Sequence, residues 1–265
     1  MASERGPAAA RDHVATIAAI GLLAYVAADV VHHAFGHGAA CMALGGRIAS
    51  LSSTYVDCTV RGSVVDLAGP FANLLVGAAA LLWLRGAPRL SPAARLFLVL
   101  LAAFDLFWVS LQLAFSAATR TDDWAWAMHD LHAGEPARYA LLALGLLGYA
   151  WAVRACGTRL APFAWPCARA RRIALVAWLG AGAIACATIV LDRQWPLAVS
   201  LPRALEQSLG LSIGLLLLPA RAGKAASPTD VAGGIGRSWP WLAAGAGVAA
   251  ASVLLLGPGI AIGGR

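Results

Sequence analysis

Long apolar segments separated by short polar stretches run through the whole chain. Most of them approach the 20 residues that a helix needs to cross about 30 Å of hydrocarbon. The pattern predicts seven membrane-crossing helices, at about residues 13–44, 66–84, 96–118, 138–155, 173–191, 204–219 and 240–261. The predicted fold class is therefore all-α, a polytopic helical membrane protein.

Residues 47–66 break this pattern. Gly45 and Gly46 end the first helix with a common stop signal. Ser, Thr and Val then alternate in part with a period of two, which is typical of strands. We expect a short β-hairpin or a re-entrant loop here. Irregular backbone at membrane depth must be buried in protein or line a cavity.

The composition supports the membrane assignment. Hydrophobic residues make up 60% of the chain and charged residues 12%, whereas a soluble domain carries about 25% charged residues. The net charge of +7 comes from Arg in short loops. Such charges are typical of cytoplasmic loops and favour anionic lipid headgroups. Membrane lipids, and no nucleic acid, are the partners that this charge predicts.

The loop charges also predict an orientation. With seven crossings, residues 1–12, 85–95, 154–172 and 220–239 share one side and carry 13 of the 20 Lys and Arg residues. The positive-inside rule makes that side cytoplasmic. The histidine-rich end of the first helix then lies toward the opposite face.

That helix carries the candidate chemistry. His33 and His37 are four residues apart, so on an α-helix they share a face. Two imidazoles so placed can bind one Zn²⁺. Asp29 is four residues before His33 and could hydrogen-bond to it or add a ligand. His32 points about 100° away, as a supporting or cavity-facing residue or as a helix-end histidine at headgroup depth.

The five cysteines show no metal-binding spacing. Cys41 and Cys186 fall within apolar segments and are expected to be small buried residues. Cys58 lies in a loop. Cys156 and Cys167 share another loop, where a disulfide could form.

Three features follow one another in the first half of the chain. A His-x-x-x-His pair precedes Gly-Gly, then Gly69-Pro70-x-x-Asn73 opens the second helix, and the Asp122–Asp123 pair follows the third. In this order they resemble the site-2 protease family of intramembrane zinc metalloproteases, over about residues 14–130.

The resemblance implies a zinc cofactor, the residues that bind and support it, and a class of substrate. The ligands of Zn²⁺ would be His33 and His37 with Asp123 or Asp122, and the supporting motif would be Gly69, Pro70 and Asn73. The substrate would be a transmembrane protein or peptide, cleaved within or beside its membrane segment. The family usually has its site nearer the cytoplasm, so either a span is miscounted or this chain is inverted.

One position departs from the family motif His-Glu-x-x-His. Its Glu is the general base, and Ala34 stands there. The resemblance therefore implies a metallopeptidase that is inactive or impaired in this chain, through engineering or as a natural pseudo-enzyme. The alternatives are a non-catalytic protein that binds metal or a partner, and, less favoured, an ion transporter using Asp29, His33, His37 and Asp105.

These expectations divide the chain into three parts. Residues 1–12 form a polar tail, residues 13–130 a metalloprotease-like core, and residues 131–265 further helices that act as scaffold or substrate gate. We expect the protein to be integral to a bacterial inner (plasma) membrane.

Overall fold

The computed structural model describes residues 12–86, 90–164, 167–226 and 232–262. Within these ranges, six helices are long and apolar enough to cross a membrane: Val14–Ala43, Ser63–Gly86, Pro92–Thr119, Glu135–Phe163, Ala168–Ile189 and Trp239–Leu256. We call them the first to sixth spanning helices. The prediction of an all-α polytopic membrane protein is confirmed. The expected N-terminal tail, apart from Asp12, lies outside the described residues.

The third spanning helix lies at the centre of the molecule and is the most buried of the six. It begins at Pro92, behind Ser91, whose side chain accepts a hydrogen bond from the Ala94 amide at 3.2 Å. Proline suits this position because the first helical amides have no partner in the helix. Phe104, Phe107 and Trp108 are almost fully buried here.

The first spanning helix contains an irregular stretch. Residues Val31–Gly38 form π-helical turns between regular α-helix on either side. A π-turn closes i→i+5 hydrogen bonds and inserts one extra residue into the helical phase. The stretch coincides with the histidine-rich sequence.

The predicted helix at 204–219 is the clearest departure from the sequence prediction. Helix Leu197–Leu205 passes into a π-turn at Glu206–Gly210, a 3₁₀ turn at Ile213–Leu217 and helix Leu218–Ala225. Pro202 removes a backbone donor within the first of these helices. We call Leu197–Ala225 the broken segment.

The stretch after the first helix is a β-hairpin. Strands Ile48–Leu51 (β1) and Val56–Cys58 (β2) pair antiparallel, and the Ser52 amide donates to the Tyr55 carbonyl at 2.9 Å. Strand Ile260–Ile262 (β3), from a stretch predicted to be helical, adds to the other edge of β1. The sheet order is therefore β2-β1-β3.

Chain direction defines two ends of the helix stack. The hairpin end holds the sheet and residue Trp195, whose ring lies 6.4 Å from that of Tyr55. At the opposite end, the His13 amide donates to the Ile235 carbonyl at 2.7 Å. The broken segment runs from the hairpin end to the opposite end, where Arg221 packs beside Gly157. It therefore runs the length of the helix stack.

Charged side chains divide unequally between these ends. Among the described residues the opposite end carries ten basic side chains: Arg85, Arg95, Arg154, Arg159, Arg169, Arg171, Arg172, Arg221, Lys224 and Arg237. The hairpin end carries six: Arg47, Arg61, Arg120, Arg138, Arg193 and Arg203. It also carries eight carboxylic acids: Asp57, Asp66, Asp122, Asp123, Asp130, Glu135, Asp192 and Glu206. At the opposite end the described acid is Asp12, which Arg169 and Arg172 bind.

A disulfide fixes the hairpin to the first helix. Cys41 and Cys58, separated by 17 residues, are bonded to each other. Cys41 was expected to be an unpaired buried residue, and the hairpin brings Cys58 beside it. Cys156, for which a bond to Cys167 was considered, is free and buried.

We expect removal of this crosslink to destabilise the protein. Closing a loop of this size lowers the entropy of the unfolded chain, which corresponds to about 3 kcal/mol. Cys58→Ser should therefore lower the free energy of unfolding by about that amount, measured by denaturant titration in detergent. Cys186→Ser, at a free cysteine, is the matched control. Equal stability of the two variants would contradict the expectation.

Candidate metal centre

Three buried side chains converge at the hairpin end. His32 Nε2 lies 3.1 Å from His37 Nε2 and 3.1 Å from Asp123 Oδ2, and His37 Nε2 lies 3.2 Å from the same oxygen. In a tetrahedral site with Zn–ligand bonds of about 2.0–2.1 Å, neighbouring ligand atoms are about 3.3 Å apart. The triangle therefore has the dimensions of one face of a zinc tetrahedron.

The π-turns explain why His32 and His37 meet. In an α-helix, residues five apart point about 140° away from each other. The π-helical stretch Val31–Gly38 shifts this phase, because its hydrogen bonds join residues five apart. Both imidazoles then face the same side of the helix.

His33 occupies a different place from the one predicted. Its Nδ1 donates to Asp29, with the side-chain oxygen at 3.0 Å and the backbone carbonyl at 3.2 Å. The sequence prediction paired His33 with His37 on the assumption of regular α-helix, and the π-turns replace it by His32. Asp29 has its expected hydrogen bond to His33 but is not one of the three converging groups.

Asn73 fixes the orientation of His32. Its amide nitrogen donates to Asp105 Oδ1 at 2.6 Å and to the Ala28 carbonyl at 3.1 Å, so its amide oxygen is left to accept. That oxygen lies 2.6 Å from His32 Nδ1. Nδ1 is therefore the donor, and the lone pair of Nε2 points into the triangle. Such partners orient metal-binding histidines.

His37 is oriented in the same way. Its Nδ1 donates to the Val65 carbonyl at 2.7 Å, so in the neutral imidazole Nε2 is the acceptor. The backbone of Gly69 lies directly against this ring, where a Cβ atom would collide with the imidazole. Gly36 and Gly69 also touch, so the first two spanning helices approach as closely as backbones can. Pro70 is buried beside them in the second helix.

Gln112 holds the acidic pair. Its side-chain nitrogen donates to Asp123 Oδ2 at 2.9 Å and to Asp122 Oδ2 at 3.1 Å. Burial and the Asp123 charge raise the pKa of Asp122 to about 6. Asp123, rather than Asp122, joins the histidines.

The converging atoms are all electron-pair donors, and each can accept a hydrogen bond or bind a cation. Two imidazole lone pairs and one carboxylate oxygen meet where little water can reach, with His32, His37 and Asp123 at most 7% exposed. Buried charges are paired or coordinate metals. A cation at the centre of the triangle satisfies all three groups, and this His, His and Asp group could hold a metal ion.

The triangle forms part of the wall of a cavity of about 760 Å³. The hairpin, the short helix Asp123–Asp130 and the first turns of the broken segment form the other walls. Its acidic lining residues are Asp57, Asp66, Asp122, Asp123, Asp130 and Glu206, against Arg61 and Arg203.

Ala34 lies on another side of the helix. It packs against the small apolar cluster under the hairpin, which includes Cys41 and Ile48. It comes two residues after His32 rather than one. The residue directly after the first histidine of the triangle is His33, which lines the cavity.

Gln112, Trp108 and Val65 were not identified from the sequence as part of the site. Only Gln112 had a signal in the sequence, as a polar residue in an apolar helix, which is costly at membrane depth. Trp108, whose ring stacks on His32 with 4.8 Å between centroids, gave none. The backbone carbonyl of Val65 could not have been found from residue types.

Comparison of the chain with protein-family models, with curated proteins and with solved structures finds no match. The resemblance to site-2 proteases therefore rests on the sequence motifs alone, and the triangle contains His32 in place of the His33 of the His-x-x-x-His pair.

The π-turns make a direct prediction about metal binding. We expect His32→Ala and His37→Ala each to abolish stoichiometric zinc binding, because each removes one of three ligands. His33→Ala, at the neighbouring histidine of the same helix, should keep its zinc. Elemental analysis of the purified variants measures this. Loss of zinc in His33→Ala with retention in His32→Ala would mean that His33 and His37 are the ligands, as the α-helical spacing predicted.

The support of His32 by Asn73 can be tested separately. Asn73→Ala frees the ring and its Nδ1 proton, so we expect zinc affinity to fall by about 10–100-fold. A competition titration against a chelator measures it. Gly247→Ala, in a spanning helix with open space around the added Cβ atom, is the control. An unchanged affinity in Asn73→Ala would show that the hydrogen bond does not support the site.

Proposed function

We propose that this protein is an intramembrane zinc metallopeptidase of the site-2 protease type. Its substrates would be transmembrane or juxtamembrane segments of other membrane proteins, in a bacterial inner (plasma) membrane. The observation that carries the proposal is the His32–His37–Asp123 triangle on the wall of a cavity.

The number of ligands favours catalysis over a structural role. Catalytic zinc sites use three protein ligands and leave the fourth position to water or substrate, whereas structural sites close with four. Among the described residues, no fourth His, Cys, Asp or Glu joins the triangle. A cavity of about 760 Å³ lies within the usual size range of ligand sites.

The side chains have separate tasks in this proposal. A zinc ion held by His32 Nε2, His37 Nε2 and Asp123 Oδ2 would acidify a bound water and polarise the peptide carbonyl. Asn73 and the Val65 carbonyl keep the protons of both imidazoles on Nδ1. Gln112 holds the carboxylate of Asp123 in place.

His33 takes the place of the missing glutamate in this proposal. Its Nδ1 proton is bound to Asp29, so Nε2 is free to accept a proton from the cavity side. A histidine whose other nitrogen is held by a carboxylate is a common general base. The expectation that Ala34 impairs the chain assumed His33 as the first ligand. With His32 in that role, His33 follows it directly, as Glu does in the family motif.

We therefore expect His33→Ala to retain zinc and to lose about 10²–10⁴-fold in cleavage rate, the usual contribution of a general base. Ala34→Glu should not raise the rate, since position 34 packs under the hairpin. The assay detects new peptide termini by mass spectrometry in membranes that contain each variant. His37→Ala defines the background.

Two outcomes would favour the alternatives, an impaired peptidase or a non-catalytic metal-binding protein. A gain of at least about 10²-fold in Ala34→Glu, with no loss in His33→Ala, would mean that the chain lacks its base and is impaired as it stands. Zinc binding without cleavage in any variant would mean a non-catalytic metal-binding membrane protein.

A further inference from the structure

We infer that the metal centre opens toward the oxidising, non-cytoplasmic face of the membrane, so that its substrates are segments exposed on that face beside the bilayer. The orientation stands on the structure alone. That peptide substrates enter from this face rests on the proposed function.

The first support is the position of the site along the membrane normal. The triangle lies in the part of the first helix that ends at the hairpin, and the short helix Asp123–Asp130 covers it from the same end. β2 lines the cavity. The cavity is therefore placed at the hairpin end of the molecule.

The second support is the distribution of basic side chains. Ten of them lie at the opposite end and six at the hairpin end, within the described ranges. Cytoplasmic loops carry an excess of basic residues, so the end with ten of them is the cytoplasmic one. Eight carboxylic acids at the hairpin end make the difference in net charge larger still, although acids contribute little to orientation.

The third support is chemical and independent of charge. The Cys41–Cys58 disulfide joins the end of the first helix to β2, and Cys58 itself lines the cavity. Disulfides form and persist in oxidising compartments and are rare where thiols are kept reduced. The bond therefore places the hairpin end outside the cytoplasm, in agreement with the basic residues.

The basic side chains and the disulfide decide between the two alternatives that the sequence left open, a miscounted span and an inverted chain. The broken segment runs the length of the helix stack, so the segments are not miscounted at this point. The site is instead inverted relative to the usual arrangement in site-2 proteases. Both the zinc ion and the peptide would then reach the cavity from the non-cytoplasmic side.

Thiol labelling on intact cells tests the orientation. In a background with Cys156, Cys167 and Cys186 replaced by Ala, single cysteines are placed at His129 and at Lys224. The His129 side chain is 87% exposed at the hairpin end, and Lys224 is exposed at the opposite end. We expect a membrane-impermeant maleimide to label His129→Cys on intact cells and Lys224→Cys only after permeabilisation.

The reverse pattern, or labelling of both variants on intact cells, would overturn the inference. A measurement on the unaltered chain guards against variants that do not fold. After acid quenching and alkylation of whole cells, Cys41 and Cys58 should be found bonded, and two alkylated thiols would equally overturn it.

The result is separable from the proposed function. Inverted labelling with zinc bound and substrate cleaved would leave a peptidase that faces the cytoplasm. The expected labelling without cleavage would support the orientation and contradict the proposed peptidase function.

Discussion

The site depends on one local feature, the π-helical stretch in the first spanning helix. The two histidines that it brings together cannot share a face of a regular α-helix. The stretch lies where Gly36 meets Gly69, so the first two helices are in backbone contact where the extra residue is accommodated. π-turns of this kind are frequently found at functional sites.

Each neighbouring helix then contributes a polar group that would be costly to bury without a partner. Asn73 of the second helix connects His32 to Asp105 of the third, and Gln112 of the third helix reaches Asp123. These bonds are 2.6–2.9 Å long and join buried side chains, so they orient the ring nitrogens. The apolar residues around these side chains supply packing, and the hydrogen-bonded polar side chains determine the geometry of the metal site.

The sequence was most informative where one physical rule dominates. Membrane crossing requires long apolar helices, so the six spanning helices could be predicted from hydropathy, as could the hairpin after Gly45–Gly46. The role of His32 could not, because no residue type marks a π-turn and α-helical spacing favoured His33. The broken segment, β3 and the Cys41–Cys58 bond depend on contacts between distant parts of the chain. The sequence left both Asp122 and Asp123 as candidates, and the tertiary structure brings Asp123 to the histidines.

The central claim is that a metal ion binds between His32, His37 and Asp123. Anomalous diffraction at the zinc absorption edge, on crystals of the zinc-loaded protein, tests it most directly. We expect one peak within about 2.0–2.2 Å of His32 Nε2, His37 Nε2 and Asp123 Oδ2. A peak bound to His33 and His37, or no peak at the triangle, would contradict it.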